Sequence, residues 1–372
     1  MSERRAFCVM LGFMLALALL LGHYAYRQLI CGPQLAAAAR EAQYRAVDCR
    51  EEARGEIYDR HGFLFTSRET VTADGDAAPV IRRYGRDGLA AHVLGYLEGE
   101  AGSRSGAAGI EAEYDELLRD GGGAVTVYVA VDARGERMAA VGYQVREEAQ
   151  KRDAVVLTLE RRLQKRVESA LDHHLLTGAA VVMDVQQREV WAMASRPSFD
   201  QCEAAQRYPE RYVLGLHPEA EFKPPVEASA LLDRARQAYP VAGTELSPLE
   251  ACNLTASLVS GRWREPQLVS YTVDSAGEAR YAMPEVWRDV TGVVGPAAAA
   301  ALTAPAEASG DMALWGMTEK ADGEPLHWAL ALVPAAQPRW AVAVLVEDAA
   351  DGEERAAGAA REIAAALSGT GR

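Results

Sequence analysis

The sequence predicts an α+β protein carried behind one apolar N-terminal helix, and three stretches predict it. Residues 6–26 (AFCVMLGFMLALALLLGHYAY) are apolar throughout. At about 1.5 Å per residue such a run crosses the ~30 Å hydrocarbon core of a bilayer. Gly178–Phe199 holds two β-rich runs, Ala179–Met183 and Val190–Met193, around a polar Gln186-Gln187-Arg188 corner, the pattern of a buried hairpin. Asp351–Leu367 then places Ala357, Ile363 and Leu367 on one helical face, a closing helix that packs on a sheet. The expected core is an antiparallel sheet flanked by helices.

Composition narrows the function classes. A chain of 372 residues makes one large domain or two medium ones. Its 49% apolar and 25% charged content is that of a folded protein. A net charge of −14 and a pI near 5.1 exclude a nucleic-acid surface. No CxxC pair and no Cys/His cluster of zinc spacing occurs among the five cysteines and seven histidines, so neither a metal nor a cofactor is expected. His173-His174 is read as a solvated helix end, since neighbouring residues on a helix point to different faces. Cys31 and Cys49 are read as two thiols, with a disulfide between them as the alternative.

Along the chain, residues 1–5 form a short basic tail and 6–26 the membrane helix. Arg4 and Arg5 put the N-terminus in the cytoplasm, and Tyr24 and Tyr26 suit the outer interface. The run is long for a cleaved signal peptide, the competing reading, so an anchor is expected with everything from Arg27 outside the cytoplasm. Gly32–Arg54, rich in Ala and Arg, reads as a helix. Ala53–Phe65 is strand-turn-strand about Asp59-Arg60-His61-Gly62. Ile110, Tyr114, Leu117 and Leu118 have helix-core spacing, and Gly106 and Gly109 are turn residues. Val125–Val131 and Arg137–Val145 read as paired strands. Asp153–Gln164 is a strand entering a helix that reaches about Leu176. The boundary falls near Gln150–Asp153, giving domains at 27–150 and 151–368. After the hairpin a helix starts at Pro218, with Phe222, Val226, Ala230 and Leu231 at helical spacing.

Several of these segments resemble, in order, the class B penicillin-binding proteins. ARGEIYDRHG (Ala53–Gly62) resembles the family's Arg-Gly-x-Ile-Tyr-Asp-Arg-x-Gly entry. Leu89–Tyr96 and Gly106–Arg119 are similar to its Ala-x-His-x-Leu-Gly and Gly-x-x-Gly-Ile-Glu-x-x-Tyr-Asp segments. Thr244–Ser257 resembles its Thr-Pro-Leu-Gln-x-Ala helix, and Trp328–Val346 its last hairpin. The resemblance implies a pedestal domain at 27–150, here shortened between Arg68 and Val80, and a truncated transpeptidase domain at 151–368.

The same resemblance locates the catalytic positions, and they are empty. The family's helix opens Pro-Gly-Ser-x-Phe-Lys, and its serine is acylated by the peptidoglycan stem peptide or a β-lactam. Here the segment is Pro218-Glu219-Ala220-Glu221-Phe222-Lys223, so the lysine is present and the nucleophile is Ala220. No Ser-x-x-Lys occurs anywhere: Glu148, Arg162, Ala220 and Met317 lie three before the four lysines. The single asparagine, Asn253, is in no Ser-x-Asn. The Lys-Thr-Gly edge-strand motif falls on Met317-Thr318-Glu319. Ser195, Ser198 and Ser229 have no lysine at catalytic spacing. The implied function is a catalytically inactive scaffold or regulator of peptidoglycan synthesis, with Ala220, Lys223, Met317 and Thr318 as vestigial positions. Its implied partners are the cytoplasmic membrane and membrane proteins of the division or elongation machinery, with a stem peptide as a further ligand. The alternatives are a D,D-transpeptidase or carboxypeptidase with a rewired nucleophile, and a non-catalytic sensor of peptidoglycan fragments.

Overall fold

A computed structural model describes residues 2–27, 44–48, 54–73, 76–84, 88–98, 105–120, 125–130, 143–147, 153–174, 177–199, 201, 233–241, 244–274, 276–281, 288–289, 305, 307–308, 311–321, 323–347 and 350–368. The strands discussed below, in chain order, are β1 (Tyr44–Asp48), β2 (Glu56–Tyr58), β3 (Val125–Ala130), β4 (Tyr143–Glu147), β5 (Ala154–Leu157), β6 (Gly178–Asp184), β7 (Val190–Arg196), β8 (Tyr239–Val241), β9 (Thr244–Leu246), β10 (Val269–Val273), β11 (Ala279–Tyr281), β12 (Glu307–Ala308), β13 (Ala313–Ala321), β14 (Glu324–Val333) and β15 (Trp340–Glu347). The helices are α1 (Ser2–Tyr26), α2 (Ala91–Leu94), α3 (Gly109–Glu113), α4 (Asp115–Asp120), α5 (Arg161–His174), α6 (Pro248–Ser260) and α7 (Gly352–Ser368). The chain is mixed α and β, with one N-terminal helix apolar enough to cross a membrane.

Two compact units are present. The first takes in Met1–Asp48, Thr72–Ala77 and Thr126–Arg146. It contains α1, whose large side chains from Phe7 to Tyr26 are exposed, and a three-stranded sheet of order β1-β3-β4. The Ala- and Arg-rich composition of 32–54 predicted a helix. Residues 44–48 are instead a strand, paired from Tyr44↔Ala130 to Asp48↔Thr126. Non-local pairing overrides local propensity here. The rest of that expected helix, with Cys31 and Cys49, lies outside the described residues.

The second unit holds Cys49–Val71, Ala78–Val125 and Glu147–Arg372. Its centre is a six-stranded antiparallel sheet of order β7-β6-β15-β14-β13-β12. Both faces are covered, which is why the central strands are apolar at every position rather than alternately. On one face Ala179, Val181, Met183, Leu330, Ala343 and Leu345 pack with Ala251, Cys252 and Ala256 of α6. On the other, Ala180, Val182, Val342 and Val344 meet Leu163, Val167 and Leu171 of α5 and Ala356, Ala360 and Ile363 of α7. A second sheet, β11-β10-β5-β2, joins the entry strand β2 to β5 in parallel, from Glu56↔Ala154 to Tyr58↔Val156.

Helix α6 starts at a capping box. The Glu250 amide donates to Ser247 Oγ at 3.2 Å and the Ser247 amide to Glu250 Oε2 at 2.8 Å, with Pro248 opening the first turn. Such a cap stabilises by about 1 kcal/mol. The helix ends at Gly261, whose φ of 69° suits a left-handed C-cap. At the polar Gln186-Gln187-Arg188 corner the first two side chains are exposed and the third is not. Arg188 is fully buried, and its Nη2 donates to Ser260 Oγ at 2.5 Å and to the Arg262 carbonyl at 2.7 Å, past the end of α6. Burial pulls its guanidinium down to about 10, with Cys252 opposing that shift and Arg264 adding to it.

Candidate functional site

Sheet register puts one row of residues across the face that α6 covers: Ser195 on β7, Ala179 on β6, Leu345 on β15, Trp328 on β14 and Met317 on β13. The next row, on the α5/α7 face, is Arg196, Gly178, Val346, His327 and Thr318. Of the four vestigial positions, Met317 and Thr318 are therefore neighbours on opposite faces. Ala220 and Lys223, with Ser229 and the helix expected from Pro218, lie outside the described residues.

The β13–β14 end of the α6-side row is apolar and closed. Met317 is half-buried and packs against the core beside fully buried Trp328. Trp328 Nε1 donates to the Pro240 carbonyl at 3.0 Å, and its ring meets that of Tyr239 edge-on at 6.4 Å. This seats β8 over the row. The Tyr239 hydroxyl donates to Glu347, whose second oxygen takes Arg234 Nε at 3.1 Å. Burial, and then the Glu347 carboxylate, raise the Tyr239 phenol well above its ordinary value. A thioether, an indole, a phenol and an internally paired carboxylate thus occupy the face. Lys320 is exposed and by strand alternation belongs to the other face.

Two hydroxyls in these rows, Ser195 and Thr318, are the candidates for a replacement nucleophile. Ser195 is buried, donates to Asp233 Oδ1 at 2.9 Å and accepts from the Ala235 amide at 3.0 Å. It fastens the chain where it returns to the sheet. Thr318 Oγ1 lies 3.1 Å from His327 Nδ1, within reach of a base. That pair sits on the α7 side, and the ring is crowded by backbone: a Cβ at Gly352 would fall 2.1 Å from His327 Cδ2. Acyl transfer needs oxyanion donors besides a hydroxyl and a base. Ser198 is exposed at the hairpin's end.

The opposite margin is densely bonded. The carboxamide of buried Gln164 pairs with β7 as a strand would: Nε2 donates to the Met193 carbonyl at 2.8 Å and Oε1 accepts from the Met193 amide at 2.9 Å. The Glu160 amide donates to the Trp191 carbonyl and the Val190 amide to the Gln267 carbonyl, both at 2.9 Å. Arg196 reaches Glu168 at 3.3 Å and Asp172 at 2.5 Å. Burial alone would lower its guanidinium; Asp172 and Glu168 reverse this and raise it. Glu168 Oε1 also accepts from the Ala90 amide at 2.7 Å, tying the Leu89–Tyr96 segment to α5.

The entry motif is held by a buried network. Arg54 pairs with Glu111 at 3.0 Å and Asp115 at 2.8 Å, and the Tyr84 hydroxyl donates to Glu111 at 3.1 Å. Burial would raise Asp115; the Gly106 amide, Arg54 and Arg119 outweigh it and hold the carboxyl below its usual range. Among the described residues, no three His, Cys, Asp or Glu side chains are arranged to hold a metal ion. His173 and His174 were expected to diverge. Both instead reach Glu362 of α7, one to each carboxylate oxygen at 3.2 Å. Sequence reading missed Gln164, Glu168 and Arg188, whose roles depend on register between distant segments.

No family model matches the sequence. The structure is similar to penicillin-binding protein A of Mycobacterium tuberculosis in its imipenem acyl-enzyme complex, at 17% identity and a TM-score of 0.58, covering 86% of this chain and 99% of that one. It is similar to penicillin-binding protein 3 of the same organism complexed with aztreonam, at 16% identity and 0.55, covering 88% and 97%. A chain of a peptidoglycan synthase complex matches at 17% identity and 0.53, covering 98% of each chain.

Proposed function

We infer that this chain, which has the transpeptidase fold of the penicillin-binding proteins, is a membrane-anchored, catalytically inactive component of peptidoglycan synthesis. It acts outside the cytoplasm as a scaffold or regulator, with 27–150 as its pedestal and 151–368 as its empty transpeptidase-like domain. The observation that carries this reading is Met317. It occupies the edge-strand position where the resemblance calls for a carboxylate-binding lysine, inside a sheet otherwise intact. The sequence supports it through Ala220 and the absence of any Ser-x-x-Lys, Ser-x-Asn or Lys-Thr-Gly. Losing a catalytic nucleophile costs many orders of magnitude in rate, so weak residual turnover is not an intermediate position. Partners among cell-wall-synthesis membrane proteins fit the anchor and the likeness to a synthase-complex chain.

The test is a fluorescent β-lactam incubated with the full chain in detergent, read by gel fluorescence and intact mass. No covalent adduct is expected. An adduct abolished by Thr318→Ala, or by changing any single serine, would establish a rewired enzyme instead.

A further inference from the structure

The face of the central sheet away from Met317 carries a cationic surface. It lies where the entry turn, the first turns of α5 and the start of β15 meet around half-buried Trp191, which packs on the α5/α7 side. The Arg60 guanidinium covers the Trp191 ring at 3.6 Å, and Trp340 meets that ring edge-on at 4.4 Å. Arg339 stacks on Trp340 at 4.6 Å. Stacking on an indole holds a guanidinium in place without neutralising it. The Arg60 amide donates to the Leu159 carbonyl at 3.0 Å and the Arg161 amide to Asp59 at 3.2 Å, so turn and helix are joined.

Arg162, Lys165 and Arg166 are exposed along one stripe of α5, at the spacing i, i+3, i+4. Arg161 starts the same helix, and Arg339 is exposed at the Trp191 stack. The carboxylates of these segments are turned to other work. Buried Glu160 accepts from the Arg162 and Leu163 amides at 3.1 and 2.6 Å. Buried Asp59 accepts from the His61 and Phe63 amides at 2.8 and 2.7 Å. Glu189 pairs with Arg60 at 3.0 Å. A chain of net charge −14 thus keeps one locally positive surface here. On the joined entry turn Phe63 and Leu64 are 51% and 41% exposed.

We propose that this surface docks an acidic segment of a partner protein, with its carboxylates on the α5 stripe and its apolar side chains on Phe63 and Leu64. The occupant follows from complementarity. The sign of the patch calls for an anion. Tryptophan and arginine interleaved with exposed apolar side chains are the composition of a protein interface. A polyanion without apolar groups would leave Phe63 and Leu64 in water. A bilayer would meet the turn at its tip, which is the polar His61-Gly62; Phe63 is tied back to Asp59 and Leu64 bridges Tyr58. Arg60 and Arg339 are positioned before binding, so little of their order has to be gained on docking.

The experiment places the full chain in phosphatidylcholine nanodiscs and titrates a fluorescent synthetic peptide that alternates Glu with Leu and Phe, read by anisotropy. Binding should saturate and should weaken as salt is raised. Arg162→Glu, Lys165→Glu and Arg166→Glu together should weaken it about tenfold or more, through lost attraction and new repulsion. Phe63→Ser with Leu64→Ser should weaken it about fivefold and leave its salt dependence unchanged. Arg361→Glu reverses an exposed cation beside β12, where it pairs with Glu307, and should leave binding as it was. No saturable binding, equal binding of the same peptide with Gln for Glu, or equal loss in Arg361→Glu and the α5 triple variant would overturn the proposal. Capture of the nanodiscs by phosphatidylglycerol vesicles, abolished by the α5 triple variant, would assign the surface to a membrane instead.

Discussion

The β7 margin and the β13 margin belong to one sheet and share a register, yet they are built on opposite principles. At β7 nearly every polar group is engaged: Gln164 completes the backbone ladder, Arg196 is clamped by two carboxylates and Ser195 holds the returning chain. At β13 the side chains are a thioether, an exposed hydroxyl and two charges, and past Leu314 no described strand pairs with the backbone edge. The first margin maintains the fold. The second carries Met317 and Thr318, the positions that the proposed function reads as vestigial. The contrast teaches that one sheet can be fastened at one margin by buried polar bonds while the other, among the described residues, carries none of comparable density.

Three substitutions sharpen or break that contrast. The largest effect is expected from Arg196→Ala, which strands buried Glu168 without its cation. Removing one partner of a buried pair costs about 3 kcal/mol or more, so chemical denaturation should show a clear drop in midpoint. A loss under ~1 kcal/mol would mean that the β7 clamp is dispensable. Gln164→Ala comes next. It leaves the Met193 amide and carbonyl unpaired inside the protein, at a cost of about 2 kcal/mol, and hydrogen exchange at Met193 should accelerate. Unchanged protection would show that the edge is closed by something else. Met317→Lys is expected to be the mildest, at about 1 kcal/mol or less, because a half-buried lysine stem can follow the methionine's path and carry its charge to water. It should not restore β-lactam labelling, since Ala220 still lacks an oxygen. Labelling on this change alone would locate the missing chemistry at β13 after all.

What the sequence disclosed follows the range of the interactions. The β6–β7 hairpin and α7 were legible because their signals are local, namely apolar runs, a polar corner and helical spacing such as Ile363 with Leu367, whereas the β14–β15 hairpin was reached through the resemblance of Trp328–Val346. The absence of Ser-x-x-Lys, Ser-x-Asn and Lys-Thr-Gly could be read from the sequence alone because lysine and asparagine are rare enough to check one by one. Strand β1 was read as helix because the alanines and arginines of the surrounding stretch 32–54 favour one, while its partner β3 is some eighty residues away. The burial of Arg188 was not legible because nothing nearby in sequence marks the end of α6 as its destination. The meeting of His173 and His174 at Glu362 depends on how two helices pack, which periodicity within either helix does not encode.

One feature of the entry region reaches further than its size suggests. Gly95 (φ 78°) and Gly109 (φ 60°) bring two backbones into contact: a Cβ on Gly95 would fall 1.8 Å from the Ala108 carbonyl oxygen, and one on Gly109 2.4 Å from that of Val93. A single methyl at either site would act as a wedge between α2 and α3. Since the Ala90 amide just ahead of α2 donates to Glu168, and Glu168 in turn steadies Arg196, the wedge would be felt at the β7 margin of the main sheet. Two hydrogen atoms where other residues carry carbon thus set the spacing between the entry segment and the sheet margin it braces.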